Sequence, residues 1–287
     1  MPELPEVETL KLGLQQYLVG HKILDAKVLD KKLFEGEVKN AINSKITRIR
    51  RLGKGLLIDL DNKYSIAIHV KLTGQLVFRD SKTKNLPIAK PVVSVLPNKF
   101  TRAIFELDKD SFLYFNDVRR FAWMKILKTD EVKNLPFFRE LGPEPPVATS
   151  LGFQPLTLEL FDKIIKSSGS PIKVILMDQK KIGGIGNIYA NDGLFDAQIN
   201  PKRSAKSLSK EEAEKLYDSV IKVLERGLKY HGASDLNLVD ILGQVGEYQQ
   251  YFLVYGQKGK KCKRCDGVIQ RISLGGRGTF FCPNCQK

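Results

Sequence analysis

Met1-Pro2-Glu3-Leu4-Pro5-Glu6-Val7-Glu8 opens this chain of 287 residues, and its residues leave two readings open. One is a helix start. Pro5 suits a first helical position, where a missing N–H costs nothing, and the acidic Glu6 and Glu8 suit the positive end of a helix dipole. Val7, Leu10, Leu14 and Leu18 then recur at helical spacing before Gly20. The other reading concerns Pro2 and Glu3. Trimming of Met1 before a small residue leaves the secondary amine of a proline at the terminus. A free α-amino group has a pKa of about 8, against about 10.4 for lysine, so a useful neutral fraction exists at neutral pH without deep burial. Attack by that amine on an aldehyde-level carbon, such as C1′ of a sugar, gives an iminium ion, the Schiff-base form of covalent catalysis. Glu3 is adjacent to move the proton. A helix start accounts for Pro5 and the glutamates but not for Pro2-Glu3 standing outside it.

Outward from this stretch, composition narrows the field. Lys and Arg number 47 against 32 Asp and Glu, a formal net charge of +15, which favours a polyanionic partner over a merely solvated basic surface. The length suits two domains. No stretch approaches the roughly eighteen apolar residues of a membrane span, and the N-terminus lacks the basic-then-apolar plan of a signal peptide. A soluble, intracellular protein is expected.

In the first half, residues 23–30 and 46–60 read as strands, with Leu56, Ile58 and Leu60 alternating before an Asp61-Asn62 turn. Ile66, Ile68, Val70 and Leu72 alternate next, which places His69 and Lys71 on the opposite face. Further strands are expected near 102–107 and 112–116 around Asp108-Lys109-Asp110. Short strands at regular spacing predict an antiparallel sandwich with the first helix attached. Arg50-Arg51-Leu52-Gly53-Lys54-Gly55 sets a lysine between two glycines, either a solvated hairpin tip or a place where a phosphate approaches closely. His69-Val70-Lys71-Leu72-Thr73-Gly74 and Asn116-Asp117-Val118-Arg119-Arg120-Phe121 are strands running into turns, the second showing two arginines beside an aromatic.

Leu141-Gly142-Pro143-Glu144-Pro145-Pro146 cannot continue a helix or a central strand and marks a domain boundary. Helical periodicity follows, in Leu158, Phe161, Ile164 and Ile165 and then Ile172, Ile175 and Leu176. Ile182-Gly183-Gly184-Ile185-Gly186-Asn187 feeds glycines into a helix start, where exposed amides attract phosphate. A dinucleotide fold is set aside because a helical pattern, not a strand, precedes these glycines. Ser209 and Glu212 form a capping box for a helix striped by Ala213, Leu216, Val220 and Leu224, and residues 232–250 read as a polar loop.

All four cysteines lie near the C-terminus: Cys262-Lys263-Arg264-Cys265, sixteen residues, then Cys282-Pro283-Asn284-Cys285. Two CxxC knuckles at this spacing enclose one tetrahedral Zn²⁺ with no open position, hence a structural metal. A thiol-redox role would need a βαβ context that is missing here, and a reducing compartment argues against disulfides.

Residues 2–8 resemble the Pro-Glu-Leu-Pro-Glu-Val-Glu signature that opens formamidopyrimidine-DNA glycosylases, the base-excision enzymes for oxidised purines. The resemblance extends from residue 2 to residue 286, through the Leu-Gly-Pro-Glu-Pro hinge, a helix-two-turn-helix element and the zinc finger. It implies an α+β fold: an antiparallel β-sandwich with a leading helix over 1–132, a hinge over 133–155, a helix-two-turn-helix domain with a lesion-covering loop over 156–250, and a zinc finger over 251–287. By the same resemblance Pro2 is the nucleophile, Glu3 handles protons and Lys54 contacts the DNA and the damaged nucleotide. Lys173, Asn187, Arg277 and His69 are expected to bind DNA, and Leu72, Arg119 and Phe121 to fill the gap left by an extruded base. Leu72 stands where the family usually has methionine, Val118 where proline often precedes the arginine pair, and Asp192 where glutamate is usual. Implied as well are AP lyase activity on damaged double-stranded DNA, a monomer, a cytoplasmic nucleoid-associated location, and Zn²⁺ on Cys262, Cys265, Cys282 and Cys285. Two rivals stay open: an endonuclease VIII-like enzyme for oxidised pyrimidines, whose opening usually has glycine in place of Leu4, and a zinc-finger DNA-binding protein without chemistry.

Overall fold

The computed structural model describes residues 1–89, 95–147, 154–234 and 238–287. Parts of the expected hinge (148–153) and of the expected loop (235–237) lie outside the described residues. The chain forms two compact units, Met1–Arg139 with Tyr230–Gln249, and Glu140–Lys229 with Gln250–Lys287.

In the first unit, among the described residues, helix α1 (Leu4–Leu18) precedes nine strands: β1 (Ile23–Val28), β2 (Phe34–Glu35), β3 (Ile46–Leu52), β4 (Gly55–Leu60), β5 (Tyr64–His69), β6 (Gly74–Arg79), β7 (Thr101–Leu107), β8 (Ser111–Asp117) and β9 (Trp123–Lys128). They make a four-stranded sheet in the order β1-β7-β8-β6 and a five-stranded sheet in the order β2-β9-β5-β4-β3. All pairings are antiparallel except β2 with β9. The expected helical stripe of α1, Val7, Leu10, Leu14 and Leu18, shares one buried core with Ile49, Ile58, Ile66 and Ile68 of one sheet and Leu76, Phe105 and Phe115 of the other. Burial of that stripe, more than intrinsic propensity, holds the helix. A short helix α2 (Pro136–Arg139) closes this part of the chain.

Two details differ from the sequence reading. The alternation ending at Leu72 stops as a strand at His69, because Lys71 takes a left-handed conformation (φ +49°) and turns the chain before β6. The described residues after Gly232 pack with the sandwich. The Ala233 N–H donates to Glu6 Oε1 (2.8 Å), Phe78 N–H to the Ile241 carbonyl (2.8 Å) and Ala89 N–H to the Gly243 carbonyl (2.8 Å). Ile241 joins the main core and Val239 packs with Val77 and Ile88. Gly13 of α1 leaves the room, since a Cβ there would sit 2.4 Å from Ile241 Cγ2.

The second unit holds α3 (Leu158–Lys166), α4 (Ile172–Met177), α5 (Asn187–Ala197), α6 (Lys210–Lys229) and the hairpin β10–β11 (Gln270–Leu274, Arg277–Phe281). The capping box is present: Ser209 N–H donates to Glu212 Oε2 (2.8 Å) and Glu212 N–H to Ser209 Oγ (3.2 Å). Helices α5 and α6 approach closely over Gly227, where a Cβ would lie 2.4 Å from the Tyr189 hydroxyl. Among the described residues no helix is long and apolar enough to cross a membrane.

Candidate functional site

The opening stretch starts a helix, as its spacing predicts. Glu3 is the N-cap of α1, so Pro2 stands just outside the helix. The Glu3 N–H donates to Glu6 Oε2 at 2.8 Å while Glu6 Oε1 takes the Ala233 amide. One buried carboxylate thereby fixes the Pro2-Glu3 peptide and ties it to the 230–249 segment. Pro2 and Glu3 are buried and Met1 is 47% exposed. One helical turn further, Glu8 accepts from Arg51 Nε (2.8 Å) and pairs with Lys11 (3.4 Å), and Arg51 Nη1 donates to the Gly53 carbonyl (2.8 Å). Arg51 is wholly buried at the end of β3. It fixes the β3–β4 turn, in which Gly53 has φ +57° and the next residue, Lys54, is 3% exposed. Lys54 is thus built into the fold rather than waving at a hairpin tip.

His69 ends β5 opposite Trp123 of β9, with Phe137 edge-on at 4.8 Å. Its Nδ1 accepts the Lys71 N–H (2.9 Å), which leaves the proton of a neutral ring on Nε2 as a donor. Burial, followed by the charges of Lys71 and Lys54, depresses its pKa to about 3. Between the ordinary value of 6.5 and about 3, the unfolded chain takes up a proton that the folded chain refuses. Stability therefore falls as pH drops through that window, by up to about 1.4 kcal/mol per pH unit. Urea unfolding between pH 7 and pH 4 is expected to show this slope in the wild type and a shallower one in His69→Asn.

The three residues expected to enter the duplex sit on two turns of the same unit. Leu72 is half-buried after Lys71, and Phe121 is 56% exposed with the Arg119 guanidinium 4.9 Å over its ring. The two arginines have separate fates. Arg120 (φ +57°) is committed to Asp30 through two hydrogen bonds, Nε to Oδ2 (2.6 Å) and Nη2 to Oδ1 (3.0 Å), and holds that carboxyl below its usual range. Arg119 is exposed.

In the second unit Lys173 is wholly buried. Its ammonium donates to Asn187 Oδ1 (2.7 Å), Thr279 Oγ1 (2.6 Å) and the Gly278 carbonyl (3.1 Å). An ammonium has three protons, and all are engaged inside the protein, which differs from the direct phosphate contact expected of this residue. Because lysine only donates, it fixes the Asn187 amide with oxygen inward and NH₂ as the remaining donor group. Of the glycine amides before α5, that of Gly183 is used by the Pro143 carbonyl (2.9 Å) and that of Gly184 by Gln179 Oε1 (3.1 Å). Arg277 is exposed at the start of β11, behind a two-residue turn in which Gly275 (φ +58°) and Gly276 (φ +70°) both need the left-handed region.

Asp192, unassigned by the sequence, is a structural carboxylate. Fully buried, it accepts the amides of Leu253 (3.0 Å), Val254 (3.0 Å) and Tyr255 (3.1 Å), anchoring the start of the finger on α5. Asp192→Asn keeps the shape and removes the charge, and is expected to cost about 2–3 kcal/mol. A lowered urea midpoint with an unchanged m-value checks this.

Cys262, Cys265, Cys282 and Cys285 place their sulfurs within 4.8 Å of one another. The separations Cys262–Cys285 (3.5 Å), Cys265–Cys282 (3.6 Å) and Cys265–Cys285 (4.0 Å) bracket the edge of about 3.8 Å that Zn–S bonds of about 2.3 Å require of a tetrahedron. The amides of Arg264 and Gly267 point at Cys262 Sγ and Cys265 Sγ, both at 3.4 Å, as thiolate ligands call for. The donor set fits zinc.

Three family models cover most of the chain: a formamidopyrimidine-DNA glycosylase N-terminal domain over residues 1–124, a formamidopyrimidine-DNA glycosylase H2TH domain over 141–237, and a zinc finger found in FPG and IleRS over 259–287. Sandwich, helical element and four-cysteine finger together define a DNA glycosylase with one structural Zn²⁺. Along its full length the chain is 36% identical to the formamidopyrimidine-DNA glycosylase of Pelotomaculum thermopropionicum, covering 99% of that protein. It is 38% identical to that of Carboxydothermus hydrogenoformans, covering all of both chains. Its fold matches that of Lactococcus lactis Fpg crystallised with DNA containing N7-benzyl-Fapy-dG (TM-score 0.86, 30% identity, full coverage of both chains). It also matches the same enzyme with abasic-site DNA (TM-score 0.85, 29% identity, 99% of each chain). The chain belongs to the formamidopyrimidine-DNA glycosylase family.

Proposed function

We propose that the chain excises oxidised purines, 8-oxoguanine and formamidopyrimidines, from damaged double-stranded DNA and then cleaves the abasic site. The reaction begins with Met1 removed. The Pro2 amine attacks C1′, the bond from C1′ to the base breaks, and the base leaves with a proton. The C1′–O4′ bond then opens, O4′ taking a proton to become a hydroxyl and C1′ becoming the carbon of an iminium; this acidifies C2′–H, a base removes that proton, and the 3′ phosphate departs by β-elimination, followed by the 5′ phosphate by δ-elimination. Glu3, buried beside Pro2, is the proton carrier, and Lys54 and the Nε2–H of His69 face the DNA from the same unit. The observation that carries this reading is the cap of α1: Glu6 locks the Glu3 amide and leaves Pro2 outside the helix, so its nitrogen has no helical role. Arg277 and the Asn187 amide supply phosphate contacts, with Lys173 orienting Asn187. Leu72, Arg119 and Phe121 occupy the gap left by the extruded nucleotide, whose unstacking costs a few kcal/mol.

Borohydride trapping on an 8-oxoguanine:cytosine duplex tests the proposal. The trimmed wild type is expected to form a covalent complex and Pro2→Gly to form much less of it, while Glu3→Gln slows base release. A thymine glycol duplex run in parallel identifies a pyrimidine enzyme if it is the better substrate. No trapped complex from protein lacking Met1, or full competence in protein retaining it, sinks the proline chemistry.

A further inference from the structure

The two turns that carry Leu72, Arg119 and Phe121 are joined by a buried hydroxyl and a buried carboxylate, Thr73 and Asp117. Asp117 ends β8 opposite Gly74 of β6 and is fully buried. Its carboxylate accepts the amides of Phe121 (2.8 Å), Ala122 (2.8 Å) and Arg119 (3.2 Å), and the Thr73 hydroxyl donates to its Oδ1. The Thr73 oxygen in turn accepts the Arg119 N–H at 2.9 Å. One hydroxyl therefore spends its proton on Asp117 and a lone pair on Arg119, bridging the β5–β6 turn to the β8–β9 turn. Arg102 Nε braces the Asp117 carbonyl from β7 (2.8 Å), and the Arg120–Asp30 pair pins the neighbouring residue.

We propose that Thr73 and Asp117 are positioning residues that hold Leu72, Arg119 and Phe121 as one preformed wedge, so that entering the base stack requires no ordering of either turn. This rests on the reading that those three side chains fill the gap. A carboxylate that accepts three amides and a hydroxyl is a charge-assisted network whose members act together. Without the hydroxyl each turn keeps its own fold, but the two lose their shared register.

The test is stopped-flow fluorescence on a duplex with 2-aminopurine beside the lesion, which reports wedge entry, together with single-turnover excision. Thr73→Val and Thr73→Ala both delete the hydroxyl, the second without any risk of overpacking; Thr73→Ser restores it. Leu72→Ala and Phe121→Ala control for the wedge itself. Both hydroxyl deletions are expected to slow wedge entry and excision by about tenfold or more, as loss of a charge-assisted hydrogen bond implies, with Thr73→Ser recovering towards the wild type. Wild-type entry rates in the deletions, while Leu72→Ala and Phe121→Ala lose the signal, would overturn the latch and leave the wedge standing. Slower excision with unaltered entry likewise overturns it. Undiminished entry in Leu72→Ala and Phe121→Ala removes the wedge reading, and the latch with it.

Discussion

Replacing Arg51 by methionine is expected to destabilise the first unit by about 3 kcal/mol, the cost of breaking a buried ion pair. Arg51 is wholly buried, Glu8 is 2% exposed, and the bond between them joins the second turn of α1 to the end of β3. The triple variant Glu8→Leu/Lys11→Met/Arg51→Met removes every charge of the cluster, Lys11 included because it is buried and pairs with Glu8. It is expected to regain much of the lost stability, because well-packed apolar side chains often replace a buried pair at little cost. Excision should not return with it. The Gly53 carbonyl still lacks the Arg51 Nη1 donor, so the turn that presents Lys54 stays loose. Chemical unfolding and single-turnover excision, measured on both variants, separate the two effects. Parallel recovery of stability and activity would mean that the pair serves the fold alone.

How much of this was legible in the sequence follows from the range of the interactions involved. Zinc ligation is written in two short local spacings, and both knuckles fold as their spacing predicts. The stripe of α1 was legible because helical periodicity is local, and the sandwich because short strands were bounded by turn residues. Direction was harder. Lys173 occupies the position expected for phosphate binding, but its ammonium turns inward to groups 105 and 106 residues away, which no local pattern encodes. Arg119 and Arg120 look equivalent as neighbours, and only Asp30, 90 residues earlier, separates them. The glycines and glutamines of residues 232–250 suggest a polar loop. The signal that points elsewhere is Leu238-Val239-Asp240-Ile241-Leu242, too apolar for a free loop, and its partners lie in the sandwich. The shorter carboxylate of Asp192 becomes interpretable only through the three amides, about 60 residues later, that converge on it.

Stripping the zinc is expected to have the largest effect of all, because a structural Zn²⁺ contributes about 10–16 kcal/mol to the folding of a small finger. The finger cannot hold itself: its core is Val254, Cys262, Ile269 and Cys282 packed against Phe195, and two of those five are metal ligands. Its order feeds directly into α5. Arg264, inside the first knuckle, donates to the Phe195 carbonyl (2.6 Å) and the Asp196 carbonyl (3.0 Å) at the helix end. Gln286 Nε2 reaches the Ile199 carbonyl (2.9 Å), and the Phe280 amide reaches Asn191 Oδ1 (2.7 Å). When the hairpin unravels, Lys173 is deprived of Gly278 and Thr279, Asn187 loses its fixed orientation, and Arg277 is no longer presented. Chelation, or Cys285→Ser, should therefore weaken DNA binding even though no cysteine is proposed to touch DNA. It should also lower the salt dependence of binding by about one unit of slope for each phosphate no longer gripped. The core of the first unit shares none of these residues, so its unfolding transition should persist in the chelated protein. Acid should mimic the chelator, since thiolates must be deprotonated to hold the metal. Binding titrations across a salt series with and without chelator decide the matter: an unchanged slope after complete zinc removal would show that the phosphate-binding groups stand independently of the finger.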